Sequence, residues 1–236
     1  MSSGYRRKNG VATAFFKRGD GANAKIAVII RIEVIMSASA VSYHVTPAPG
    51  GHRFTVRQHV PVAPESDIAF YLPVWIPGSY MRRDFARFLS RLAVTDADGN
   101  AIPFAFDNPS RWRLRVPPAC HELHIHYTIY ARDISVRGNY LDHERGFLNP
   151  CATCIAIEGY EHLPHRLVLA LEGHRAGWQI TGAQTGGDGA YWFENYEQLI
   201  DTPLMFAAEL TILPFTAGGV PHDIVISGKT WDYDHE

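Results

Sequence analysis

Cysteine is scarce in this sequence, with three in 236 residues. A small odd number in a chain of this length does not make a disulfide framework, so a reducing compartment, the cytoplasm, is the expected location. Charge of one sign is lacking too: 22 Lys and Arg stand against 24 Asp and Glu, a net -2. That balance offers no electrostatic footprint for nucleic acid or an anionic membrane, and neither is expected as a partner. Long apolar runs are missing as well. The best one, Ile26 to Ile35, is too short to span a bilayer and carries Arg31 and Glu33, which a signal-peptide core tolerates poorly.

What is present is a hydrophobic content of 46%, enough for a substantial core, and twelve histidines, which oblige a search for metal sites. Residues 1–25 are Gly-, Lys- and Arg-rich (Arg6, Arg7, Lys8, Lys17, Arg18) without apolar periodicity. Residues 1–41 therefore read as an extension, disordered or not native, with Met36 as the expected natural start. Residues 42–236 read as one domain.

Within that domain the periodicity is that of strands. Phe54, Val56 and Val60 alternate with Arg53, Thr55, Arg57 and His59. Trp112, Leu114 and Val116 alternate with Arg111, Arg113 and Arg115, and Leu123, Ile125, Tyr127 and Ile129 share one face of Glu122 to Ala131. Asp98-Gly99 predicts a hairpin between Leu92–Thr95 and Ile102–Phe106. Further strands are expected at Arg166–Leu171, Leu204–Leu213 and Asp223–Ser227, and short helices at Arg83–Ser90 and Asn195–Ile200. Short strands separated by frequent turns predict an all-β fold, an antiparallel β-sandwich or saddle-like sheets with one or two short helices.

Motifs that would carry chemistry fail on spacing. The helical zinc-protease signature needs His-Glu-x-x-His; His121-Glu122 is followed by Ile125 at the fifth position and His143-Glu144 by Phe147, while His235-Glu236 ends the sequence. Cys151 and Cys154 form a lone CxxC, which would need two more ligands to hold zinc, with His162 and His165 the candidates in reach by sequence. His124 and His126 share one strand face and read as solvated or partner-facing. Ser227 to Thr230 lacks the glycine a phosphate loop requires five places earlier, where Asp223 stands. No catalytic residue and no metal ligand is assigned, and no cofactor is expected.

Three stretches, in order, carry a resemblance: "LPVWIPGSYMRRDFAR" (Leu72–Arg87), "YTIYARDISVRGNYLDHERGFLN" (Tyr127–Asn149), and "YEQLIDTPLMF" with "GVPHDIVISGK" (Tyr196–Phe206, Gly219–Lys229). Together they resemble the N-terminal domain of the glycyl aminopeptidase metallopeptidases, peptidase family sixty-one of that class. Trp75, Pro77, Gly78, Tyr80, Arg83 and Asp84 are the signature positions, expected to be structural, with Trp75 and Tyr80 packed. The resemblance implies a non-catalytic β-domain ahead of a thermolysin-like domain that would carry the zinc. The expected partner is that catalytic peptidase domain, in cis or in trans, with peptide substrate reached only indirectly. The terminal "DYDHE" resembles the family's passage between the two domains. One departure stands out: "NPCATCIAIEG" places Pro150 and two cysteines where family members carry Asn-Gly-Thr and a hydrophobic strand.

Arg137, Tyr140, Asp142, Arg145 and Asn149 form a dense polar-aromatic stretch. They are candidate cleft or interdomain contacts; the alternative is an internal Arg–Asp and Tyr network that fixes a long loop. For the whole chain the alternative to a peptidase β-domain is a stand-alone β-sandwich binding peptide or protein. A sugar-binding sandwich is permitted by the Trp and Tyr content and supported by no motif.

Overall fold

The computed structural model describes residues 5–8, 11–14, 40–76, 79–173, 176–183 and 185–228. The expected start at Met36, the run Ile26 to Ile35, the signature pair Pro77-Gly78 and the terminal "DYDHE" lie outside those residues. The chain divides into two units, residues 1–40 and 41–236. In the first, β1 (Tyr5–Lys8) pairs antiparallel with β2 (Val11–Ala14).

In the second unit a six-stranded sheet is built from β3 (Val41–Ala48), β4 (Arg53–Pro61), β6 (Leu89–Thr95), β9 (Glu122–Tyr130), β13 (His165–Leu169) and β15 (Tyr191–Phe193). Its order is β15-β13-β3-β4-β9-β6, antiparallel except where β13 runs parallel to β3. A four-stranded sheet holds β5 (Asp67–Tyr71), β7 (Ala105–Asn108), β8 (Arg111–Arg115) and β12 (Ala156–Ile157). Another joins β10 (Tyr140–Leu141), β11 (Arg145–Leu148), β14 (Gln179–Thr181) and β16 (Leu204–Ala207). The last two strands, β17 (Leu210–Ala217) and β18 (Val220–Ser227), form a hairpin of their own. The expected all-β class holds.

Alternation sets the core. Phe54, Val56 and Val60 of β4 and Leu123, Ile125, Tyr127 and Ile129 of β9 are fully enclosed, while Arg53, Thr55 and Arg57 face outward. One hydrophobic cluster joins these to Phe70, Trp112 and Leu114 of the second sheet and to Leu141, Leu148, Leu204 and Phe206 of the third. Each such side chain contributes about 1.5–3 kcal/mol by leaving water. Gly146 is required where it stands: its cross-strand partner Phe206 lays its ring over the Cα, and an added Cβ would meet ring carbons at 2.1 Å.

Two sequence expectations need correction. The Asp98-Gly99 turn forms, with Gly99 at φ 84° and Asp96 Oδ1 accepting the N–H groups of Asp98 and Asn100 at 3.0 and 2.8 Å. Pairing after it is brief, however; Ile102 N–H reaches Val94 O, and then the chain leaves to pair β7 with β8 in the other sheet. The hairpin signal reported the turn and was blind to the destination. Leu204–Leu213, read as one strand, is β16 and β17 separated by a bend at Ala208. The two halves serve different sheets, which period-two alternation cannot reveal. Edge strand β6 carries a bulge between Ser90 and Ala93, with Arg91 at φ 57°, a device that blunts edge pairing.

The short helices fall where expected, as a 3-10 turn at Phe85–Phe88 and as α1 (Tyr196–Ile200). The Asn195 side chain caps α1 by accepting from Gln198 N at 2.9 Å. Among the described residues no helix is long and apolar enough to cross a membrane.

Candidate functional site: two loops and a buried crossing

β5 ends at Tyr71 because Pro73 has no N–H to give a ladder. The signature loop that follows ties itself to itself. Trp75 Nε1 donates to Ser79 O at 2.7 Å, Ser79 Oγ donates to Met81 O at 3.0 Å, and Arg83 Nε donates to Ser79 Oγ at 3.0 Å. Arg83 N–H closes the loop on Val74 O. Ser79 is buried at its centre.

The aromatics of this loop are not packed, contrary to expectation. Trp75 is 57% exposed, and Tyr80 and Met81 also face solvent. The reason is that Phe70 of β5 and Leu72 just after it already fill the core, and the loop anchors through Ile76, which packs against Phe85, Cys151 and Ala152. Apolar content in a sequence motif does not say on which side of the fold it lies.

A second exposed loop, Asp133 to Gly138, presents Ile134 and Val136 to solvent. The two loops meet around a pocket of ≈170 Å³, where Arg82, Arg83, Asp84 and Arg87 of the first oppose Asp133 and Arg137 of the second. The structure thus brings Arg83, Asp84 and Arg137, 53 or more positions apart in pairs across the loops, to one place. Arg82 and Asp84 lie 3.8 Å apart, both mostly solvated, a contact of little energetic weight.

Tyr140, Asp142 and Arg145 gather into a separate network. Tyr140 Oη donates to Asp142 Oδ2 at 2.7 Å, and Asp142 Oδ1 accepts the N–H groups of Glu144 and Arg145, both at 2.8 Å. Burial works against the carboxylate, yet these hydrogen bonds hold Asp142 below the usual carboxylate range; the same bond, chiefly, raises the Tyr140 phenol. Arg145 sits over the Tyr140 ring and donates to Ser227 O at 3.1 Å, joining the loop to β18.

Asn149 is buried, and both ends of its side-chain amide are hydrogen-bonded within the fold. Its Oδ1 accepts from Cys151 N, capping a 3-10 turn at Pro150–Ala152, and its Nδ2 donates to Arg137 O at 3.1 Å. Asn139, which no sequence signal singled out from its polar surroundings, is the hub: Oδ1 accepts from Asn149 N at 2.8 Å and Thr153 Oγ1 at 3.0 Å, and Nδ2 donates to Ala152 O. The divergent "NPCATCIAIEG" is therefore a segment that crosses the core. Its carbonyls at Thr153, Cys154 and Ile155 accept from the hydroxyls of Tyr127, Tyr196 and Tyr43, at 2.9, 2.7 and 2.9 Å, and Gln58 also donates to Ile155 O. Burial pushes all three phenols well above their ordinary range, keeping them as donors.

Cys151 and Cys154 lie in this crossing as buried free thiols, and burial pushes Cys151 up to about 12. His165, proposed from spacing as a partner, stacks on Tyr43 instead, with ring centroids 5.9 Å apart. The zinc that the family resemblance implies does not fit the His-Glu pairs here. Glu122 opens strand β9 and His143-Glu144 stand exposed before β11, so neither pair lies on a helix that could turn a second histidine toward a metal.

A wider groove of ≈720 Å³ runs beside β5, walled by Tyr71, Trp75, Arg111, Glu158, Glu161 and Glu197 among others. Tyr71 Oη donates to Glu161 at 3.0 Å, and burial together with that bond pushes Tyr71 up to about 12. Arg111 pairs with Asp107 at 3.0 Å and with Glu158.

Comparison with known proteins agrees with this architecture. The chain is similar over 81% of its length to an aminopeptidase N family protein from Idiomarina loihiensis, with 34% identity and a TM-score of 0.71. It spans 33% of that protein's length. A weaker likeness, at 10% identity and a TM-score of 0.44, is to aminopeptidase A of Legionella pneumophila solved in complex with aspartic acid, covering 80% of this chain and 23% of that one. No curated protein matches the sequence. Residues 42–208 match the model of the Peptidase M61 N-terminal domain, and the chain belongs to that family.

Proposed function

We propose that this chain is the non-catalytic N-terminal β-domain of a zinc-dependent aminopeptidase, packing on a catalytic domain in cis or in trans and flanking its substrate cleft. The observation that carries this reading is the pair of loops with their aromatic and aliphatic side chains turned outward. Trp75, Tyr80, Met81, Ile134 and Val136 are five large apolar side chains turned to solvent on two loops, more than an idle surface calls for. The arginine-rich pocket between the loops supplies polar contacts at their rim. In this reading the zinc belongs to the catalytic domain and the chain itself contributes no reacting group. The three free, buried cysteines fit a cytoplasmic enzyme.

A peptidase assay with added zinc tests the reading, run on this chain and on a version extended through the downstream reading frame. Turnover is expected only from the extended version; turnover by the 236-residue chain alone would overturn the proposal. In the extended version, Trp75→Ala with Tyr80→Ala should loosen the domains, seen as faster proteolytic separation.

The alternative, a stand-alone module binding peptide or protein, draws on the open groove with Glu158, Glu161 and Glu197 on its wall. Binding of a basic peptide that Glu197→Gln and Glu161→Gln abolish, by a chain with no peptidase partner, would favour it.

A further inference from the structure

The outward face of the six-stranded sheet carries histidines in neighbouring strands. His59 on β4 stands directly opposite His124 on β9, and His44 lies opposite Arg57, which in turn faces His126. Glu122 precedes His124 by two positions and so shares its face. Register, which the sequence did not reveal, is what brings these groups together.

Their side chains converge. His59 Nε2 lies 2.8 Å from Glu122 Oε2, and His124 Nε2 lies 3.0 Å from Glu122 Oε1. The two imidazoles meet edge to face with centroids 5.3 Å apart, and His126 stacks on His124 at 6.5 Å. One nitrogen from each ring and one carboxylate oxygen all fall within 4.8 Å of one another, the one such set of three among the described residues. The three side chains are 35–39% exposed, open enough for an ion to enter and sheltered enough to be held in place.

We propose that His59, Glu122 and His124 form a binding site for a divalent transition-metal ion of the zinc class, clipping β4 to β9. Two neutral imidazoles and a carboxylate are a donor set that zinc accepts, with water completing a tetrahedron. Such a tetrahedron, with donors about 2.0–2.2 Å from the metal, needs donor atoms roughly 3.3 Å apart. The two His–Glu separations, 2.8 and 3.0 Å, are already near that value, and with all three donors within 4.8 Å small side-chain adjustments complete the set. The ladder fixes the backbone beneath all three, which lowers the ordering cost of binding. A hard ion such as magnesium or calcium, which prefers an all-oxygen shell, is excluded by the two nitrogens. The site departs from the expectation, drawn from motif spacing, that the chain holds no metal.

Calorimetric titration of the metal-stripped chain with zinc chloride at neutral pH tests it. One bound ion per chain is expected, with affinity weakened roughly tenfold or more in His59→Ala, His124→Ala and Glu122→Gln, and unchanged in the exposed-histidine control His143→Ala. In the unaltered protein, substoichiometric copper(II) should broaden the imidazole resonances of His59 and His124, with His126 stacked beside them, before those of the remaining histidines, a readout independent of whether a variant folds. No binding, binding indifferent to all three substitutions, or broadening that begins elsewhere would each overturn the proposal.

Discussion

Two segments, each carrying at least one proline and each following a strand, have opposite fates in this fold. The signature loop after β5 satisfies its polar groups with itself, around Ser79, and turns Trp75, Tyr80 and Met81 to solvent. The crossing from Asn149 to Ile157 buries nearly everything and has its carbonyls met by Tyr43, Gln58 and Tyr127 from distant strands and by Tyr196 from α1. The more aromatic of the two is the exposed one. Burial here follows from whether the surrounding elements provide hydrogen-bond partners for a naked backbone, and the side chains of the segment itself are a poor guide.

That contrast can be broken at the crossing. Asn139→Ala removes the acceptor for Asn149 N and Thr153 Oγ1 and the donor to Ala152 O in one step. Thr153 Oγ1 keeps Asn149 O as an acceptor, but stranding the buried Asn149 N–H and Ala152 O should cost about 2–4 kcal/mol. Urea unfolding followed by tryptophan fluorescence measures it, and a loss of less than about 1 kcal/mol would mean the crossing is held by packing alone.

Acid gives a second lever of comparable size. His165 stacks on Tyr43 and meets Tyr196 at a tilt, two of the tyrosines that hold the crossing, and burial lowers its pKa to about 4 from an ordinary 6.5. Above 6.5 the ring is neutral in both folded and unfolded chains. As pH falls from 6.5 toward 4 only the unfolded chain takes the proton, so stability drops by on the order of 3 kcal/mol across that window, and this contribution is flat below it. The difference between the unaltered protein and His165→Phe, compared at pH values spanning the window, isolates the effect; parallel pH profiles would show that His165 does not titrate as described.

The exposed loop should respond least. Trp75→Ala is expected to change the stability of this chain by about 0.5–1 kcal/mol, because the ring is mostly exposed and makes a single part-buried hydrogen bond. A loss as large as that at Asn139 would erase the comparison and with it the case for an interface surface.

Much of the frame was legible in the sequence. Alternation placed β4, β8 and β9 with their buried faces correctly assigned, down to Trp112 and Tyr127, because a two-sided strand leaves a period-two record. The family signature was legible too, although it marked Trp75 and Tyr80 as packed. What stayed hidden depends on pairing between distant residues. Nothing local says that β7 abandons β6, that Asn139 reaches Thr153, or that His59 faces His124, since each is a matter of register and not of composition. The polar stretch from Arg137 to Asn149 divides accordingly. Arg137 stands at the exposed pocket, Tyr140, Asp142 and Arg145 bind one another, and Asn149 caps a buried turn.

The parallel pairing of β3 with β13 has a consequence for how the molecule comes into being. Tyr43 and His165, neighbours in the finished sheet, are separated by 122 positions of chain. A ribosome adding about 5–20 residues per second needs roughly ten seconds to cover that interval. Throughout it β3 waits with β4 on one side and an open edge on the other, its outer N–H and C=O groups not yet met by β13. The nascent domain is therefore most in need of a chaperone's attention in the interval before Leu169 emerges.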